Sequence, residues 1–165
     1  MLLLPERCSP PNTVKLSDDY ILGLIDGEGC FTFCVSTYLS NRKFLRRKIP
    51  AFALAMHERD MNLIKSVRDH LGIRNKVYIY HKPGIVLKTK TYLRGDQAFL
   101  IVREIGSLKN IIVPFFYKRL KGYKRIQFEK WIEKIGTDPL VPEIYKIIHR
   151  LHSYGYYERI SRGIS

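Results

Sequence analysis

Apolar positions recur along the chain with two periods. Behind Ser17, a good N-cap, the run from Tyr20 to Ile25 predicts a helix that ends at Ile25. It stops abruptly on "DGEG", where two acids, Asp26 and Glu28, alternate with Gly27 and Gly29. In "CFTFCVS" the period falls to two: Phe31, Phe33 and Val35 alternate with Thr32, Cys34 and Ser36, as in a half-buried strand. "NRKFLRRK", Asn41 to Lys48, reads as a basic loop, and "IPAFALAMH" as a second strand with Phe52, Leu54 and Met56 opposite Ala51, Ala53 and Ala55. Asp60 opens a helix, "MNLIKSVRDHLG", that Gly72 closes. "KVYIYH" and "GIVLKTKTYL" read as strands joined by Lys82, Pro83 and Gly84, with "QAFLIVREI" as another. Helical patterns follow from Ser107, near Tyr123–Ile135 and near Val141–Ser153. This order predicts one α+β domain over residues 16–153, with helices on one face of an antiparallel sheet. Residues 1–15 are expected to form a flexible arm and residues 154–165 a tail, and no internal repeat is present.

The other face of the sheet carries the functional information. By the strand period, Lys76, Tyr78, Tyr80 and Lys82 share one side of their strand, and Lys88, Lys90, Tyr92 and Arg94 share one side of the next. Such a face is often simply solvated. Charge changes that picture: 29 Lys and Arg against 15 Asp and Glu give +14, a field that favours a polyanion. With a basic loop beside the sheet and tyrosines between the cations, nucleic acid is the favoured partner, because a β-ribbon can enter a major groove. A membrane partner is not expected, since no apolar run approaches the roughly 18 residues of a span. The opening "MLLLPERCSPP" is shorter in apolar residues than a signal core of about 7–15. An intracellular protein is therefore expected, either organellar (chloroplast or mitochondrion) or in a prokaryotic cytoplasm. Three cysteines do not make a disulfide scaffold, and neither Cys30 with Cys34 nor His149 with His152 has the further ligands of a structural metal.

"ILGLIDGEG", Ile21 to Gly29, resembles the signature of the LAGLIDADG homing endonucleases. Gly23, Leu24, Ile25, Asp26 and Gly29 match its letters, and Glu28 stands at the second acid. "AFALAMHERDMNLIKSVRDHLG" resembles the family's second strand and following helix, and "SLKNIIVPFFYKRLKGYKRIQFEKW" its later segment, with Pro114, Phe115, Phe116 and "LKGYK" as landmarks. The resemblance implies an αββαββα core, an antiparallel sheet saddle with helices on one face, and extra C-terminal helices. One motif per chain implies a homodimer, with Leu22, Gly23, Asp26 and Gly27 at its interface and Asp26 also tying down the helix end.

The implied reaction is hydrolysis of phosphodiesters in a long, pseudo-palindromic DNA duplex. The family's metal-binding carboxylate corresponds to Glu28, with Gly27 beside it in the metal site. A carboxylate at a helix C-terminus opposes the helix dipole, and two of them from two chains repel, so a divalent cation relieves both costs. Mg²⁺ suits oxygen ligands and phosphates, with Mn²⁺ as a substitute. The family's basic residue falls in "RLKGYK", where Lys121 is preferred over Lys124. Where relatives carry a polar amide at the end of the second strand this chain has Met56, followed by His57, whose imidazole is a candidate replacement. DNA contacts are expected from Thr32, Cys34, Ser36 and Tyr38, and from Asn41, Arg42, Lys43, Arg46, Arg47 and Lys48. The later strands would add Lys76, Tyr78, Tyr80, Lys82, Lys88, Lys90, Tyr92 and Arg94. Two rival readings remain open: a maturase that binds intron RNA, and a DNA-binding module without activity, to which Met56 points. A basic membrane-surface protein fits the charge but not the strand alternation.

Overall fold

A computed structural model of the chain describes residues 13–81, 85–86, 91–92 and 95–163. Helix α1 (Asp18–Glu28) opens on Ser17, whose hydroxyl accepts the Tyr20 N–H at 3.2 Å. It runs three residues past the expected stop at Ile25, because Gly27 continues the helix and Gly29 caps it with an N–H to the Ile25 carbonyl. A Cβ at Gly29 would strike Ile25, so glycine is required where α1 turns sharply into β1 (Gly29–Ser40).

Strands β1 and β2 (Lys43–His57) pair antiparallel along their whole length, closed by Asn41 and Arg42 at φ 49° and 62°. Positive φ at both central residues is what a two-residue hairpin turn with the correct twist demands. The basic stretch Asn41–Lys48 is therefore mostly strand rather than loop. Residues 41–47 are exposed on both faces, so no apolar alternation marks the stretch in the sequence.

Strand β6 (Gln97–Val102) pairs with β2, and β3 (Tyr78–Tyr80) pairs with β6, giving the antiparallel order β1-β2-β6-β3. Of the two strands expected on either side of Lys82-Pro83-Gly84, the first joins this sheet as β3 and the second does not. Instead β4 (Ile85–Val86) and β5 (Thr91–Tyr92) form a separate two-stranded ribbon. Lys82, Lys88, Lys90 and Arg94 lie outside the described residues, and of Tyr92 only the backbone is described.

Cross-strand partners share a face, so register sorts the side chains. Phe31 lies opposite Phe52, Phe52 opposite Val102, and Leu54 opposite Leu100, and all five are buried. Helices cover this face: α1 through Ile21 and Ile25, and α2 (Met61–Leu71) through Ile64 and Val67. The helical stretch α3 (Ile105–Ser107), the π-turn Leu108–Ile112 and α4 (Val113–Phe116) add Leu108, Ile112 and Phe116. In the π-turn the Val113 N–H reaches back to Leu108, which lets Pro114, lacking an N–H, follow inside a helix. Phe31 is the hub of the aromatic core, with ring centroids 4.9 to 5.6 Å from Phe52, Phe116, Phe128 and Trp131.

Helix α5 (Tyr123–Thr137) buries Phe128 and Trp131 under β1, and the Trp131 indole donates to the Thr32 carbonyl at 2.8 Å. Described residues of both expected ends pack on the domain. Residues 154–161 are not a loose tail, since after α6 (Lys146–Ser153) the short helix α7 (Tyr156–Ser161) plugs Tyr157 into the core at 1% exposure. Its phenol donates to the Lys109 carbonyl at 3.1 Å. Of the expected arm, Val14 docks on α2 through an N–H to the Ser66 hydroxyl at 3.0 Å.

Candidate active site

Two faces of α1 differ completely. Ile21 and Ile25 are fully buried, while Gly23 and Gly27 are exposed, and a Cβ built on either meets nothing within 4 Å. Gly23 and Gly27, four residues apart, leave a bare backbone strip facing outward. Leu22 is not part of it: it is half-buried and packs on the core. Asp26, expected on the same surface, turns inward to its own chain. Its Oδ2 accepts the Lys121 N–H at 3.1 Å and its Oδ1 the Gly122 N–H at 3.2 Å. Glu28, the last residue of α1, is exposed, and no ion pair or hydrogen bond engages its carboxylate among the described residues. It stands at the negative end of the helix, where a carboxylate gains from a cation.

The segment after α4 meets α1 twice. Besides the Asp26 contacts, the Arg119 guanidinium donates to Asp18 Oδ2 at 3.1 Å, and His70 Nε2 lies 2.6 Å from Asp18 Oδ1. Hydrogen bonding to His70 first, and then to Arg119, holds the Asp18 carboxyl below the usual carboxylate range. Lys121 is exposed, and Lys124 is half-buried in the first turn of α5.

The end of β2 departs from expectation. Met56 lies opposite Ala98 on the helix face and packs on the core, so its side chain does not reach the open face. His57 is on the open face but already engaged. Its Nδ1 accepts the Arg59 N–H at 3.2 Å, capping the turn Glu58–Asp60, and its ring lies so close to Gly95 that a Cβ there would strike it. The amide in this row comes from another strand: Gln97 of β6 is the partner of both His57 and Tyr80. The alternation of Gln97, Phe99 and Ile101 with Ala98, Leu100 and Val102 carries that signal in the sequence.

Register gathers Thr32, Cys34, Ser36 and Tyr38 of β1 on the open face, with Tyr78 and Tyr80 of β3 at the other end. Ala51, Ala53 and Ala55 of β2 form a low floor between them, flanked by Ile101 and Phe99. Each end carries a cation over a tyrosine. The Arg47 guanidinium lies 5.3 Å from the Tyr38 ring centre and donates to the Ser36 hydroxyl at 2.9 Å. The Lys76 ammonium lies 5.5 Å from the Tyr78 ring. Lys43 shares the face of Arg47, through its partner Ser40, and Asn41 and Arg42 form the tip. Arg46 and Lys48 do not share it: they pair with Thr37 and Val35 on the helix side, and Lys48 is bound to Asp138 at 2.8 Å.

Comparison with known proteins places these features in context. The family model described as LAGLIDADG endonuclease matches residues 21–135. A protein of Mycosarcoma maydis named probable intron-encoded DNA endonuclease 1 is 32% identical over 76 residues, 46% of this chain and 26% of that protein. This chain thus matches about a quarter of that relative's length. Among solved structures, the homing endonuclease I-TnaI aligns at a TM-score of 0.56 and 26% identity, over 90% of this chain and 96% of that one. The meganuclease I-SmaMI, bound to uncleaveable DNA with a TTGT central four, aligns at 0.58 and 19% identity over 94% of this chain and 45% of that one, a likeness of fold.

Proposed function

The chain belongs to the LAGLIDADG endonuclease family, and on that premise we propose that it is a site-specific DNA endonuclease working as a homodimer. One observation carries the reading: among the described residues Glu28 is exposed and unpaired at the end of α1, next to Gly27 of the bare strip and directly before β1. Two copies meeting along their glycine strips would bring two such carboxylates together at the centre of one continuous DNA-facing surface. The open faces would then read two related half-sites, so a pseudo-palindromic duplex is the fitting substrate. The intron-encoded relative supports an intracellular setting.

Among the described residues of one chain, no group of three His, Cys, Asp or Glu could hold a metal. Glu28 nevertheless fits a divalent cation: it offers a hard oxygen donor that no ion pair engages among the described residues, and a second copy and the DNA phosphate would complete the ligand set. When bound, Mg²⁺ or Mn²⁺ supplies Lewis-acid stabilisation and lowers the pKa of water. Lys121 brings a cation to the same end of α1. There it would stabilise charge on the phosphate as water oxygen attacks phosphorus, a water proton passes to solvent, and the bond to the leaving oxygen breaks. It can also donate the proton that the leaving oxygen takes up.

The test is Glu28→Gln, which keeps shape and removes charge. Plasmid carrying the target site should be cut by the wild type with Mg²⁺ and not by the variant, while both bind the site in gel shift. Cleavage by Glu28→Gln at the wild-type rate would remove Glu28 from the reaction.

A further inference from the structure

We propose that Asp26 is a positioning residue: its two-pronged hold on the backbone of Lys121 and Gly122 sets where the Lys121 side chain leaves the chain, at the Glu28 end of α1. The inference rests on the endonuclease reading above. Both Asp26 oxygens are spent on this hold, at 3.1 and 3.2 Å, and Glu28 lies two residues further along the same helix. The contact is favourable at both ends. Asp26 sits in the last turn of α1, where a negative charge is disfavoured, yet it faces the positive end of α5, where one is favoured. Gly122, the N-cap of α5, has no side chain to offer the first-turn N–H groups, and its own N–H, the first of that end, is satisfied from α1.

The rest of the segment is held to match. Arg119 is tied to Asp18 at the start of α1, and Leu120 is buried between the two ties. Lys121 thus leaves a backbone fixed to α1 before and after it, while its own side chain stays exposed. The free carboxylate and the amine therefore ride on one rigid unit. Any movement of α1 at a dimer axis carries both together.

A plain structural role predicts something different: Asp26 would cap α5, and any effect of losing it would follow stability alone. Asp26→Asn keeps one acceptor oxygen and loses the other. Single-turnover cleavage, DNA affinity and melting temperature should be measured for Asp26→Asn, Lys121→Ala and the double variant. The expected result is a rate loss of about 10- to 100-fold for Asp26→Asn, the scale of a misplacement near 1 Å, with affinity unchanged. The double variant should be no slower than Lys121→Ala, because one change acts through the other. Adding Gly122→Ser to Asp26→Asn gives α5 a local cap. Stability should return without the rate. Multiplying losses in the double variant, or recovery of rate together with stability in the capped variant, would overturn the proposal. A Glu28→Gln protein that cuts normally would instead overturn the endonuclease reading on which it rests.

Discussion

The two faces of the sheet are made by the same strands and differ by one residue in phase. On the covered face Phe31, Phe52, Leu54, Leu100 and Val102 interlock with the apolar side chains of α1, α2, α4 and α5. On the open face Tyr38, Tyr78 and Tyr80 are exposed, and cations lie over two of the rings. Helix α1 repeats the contrast, with Ile21 and Ile25 on one side and bare Gly23 and Gly27 on the other. The difference teaches that core packing and the polar, solvent-facing surface occupy alternate positions in this chain. Substitutions should therefore affect one and spare the other.

The largest effect belongs to the covered face. Phe52 has no exposed surface and touches the rings of Phe31 and Phe116, with centroids at 5.5 and 5.3 Å. Phe52→Ala should cost about 3–5 kcal/mol in urea unfolding, the usual loss for a core aromatic. Phe33 has the same phase but is only half-buried, opposite Pro50 near the rim of the helix layer. Its truncation should cost distinctly less. Equal costs at both positions would mean that the covered face extends further along β1 than burial indicates.

The bare side of α1 should respond in the opposite sense. Gly23→Leu meets no neighbour in the monomer and replaces a poor helix former, so it should stabilise the isolated chain by up to about 1 kcal/mol. It should also abolish self-association and cleavage, since a leucine would hold a second helix away. Analytical ultracentrifugation of the wild type near 39 kDa, twice the 19.4 kDa chain, and of the variant as monomer would sharpen the contrast. A Gly23→Leu protein that still dimerises and cuts would show that the glycine strip is not the contact.

Strand phase was legible in the sequence because a period of two survives wherever one face is buried. Phe31, Phe52, Leu54 and their opposites Thr32, Ala51 and Ala53 follow it directly. It failed where neither face is covered: Lys43–Lys48 continue β2, but dense charge hides the strand, and Arg46 and Lys48 turn to the helix side. The end of α1 was misjudged because Gly27 and Gly29 look alike, while only Gly29 meets a wall. The contact between Asp26 and the Lys121 backbone had no local signal, for the two are 95 positions apart. Tyr157, whose partner Lys109 is 48 positions away, was hidden for the same reason.

The smallest effects on stability should come from the open face, and there the two members of a cation–tyrosine pair can be separated. Tyr78 is 53% exposed, and its cross-strand partner is Phe99. Tyr78→Ala removes β-propensity and an exposed cation–π contact, each worth about 1 kcal/mol or less, so unfolding should shift by no more than that order. Lys76→Ala should shift it less still. On DNA the ranking reverses in kind. If Lys76 neutralises one phosphate, its loss should weaken all duplexes alike and reduce the slope of log affinity against log salt by about 1. Tyr78→Ala leaves charge unchanged, so the slope should hold while tolerance at particular base pairs changes. Titrations of both variants at several salt concentrations, with the target and with random duplex, decide this. A Tyr78→Ala protein that unfolds as readily as Phe52→Ala would merge the two faces into one. An unchanged salt slope for Lys76→Ala would place the phosphate contact elsewhere on the open face.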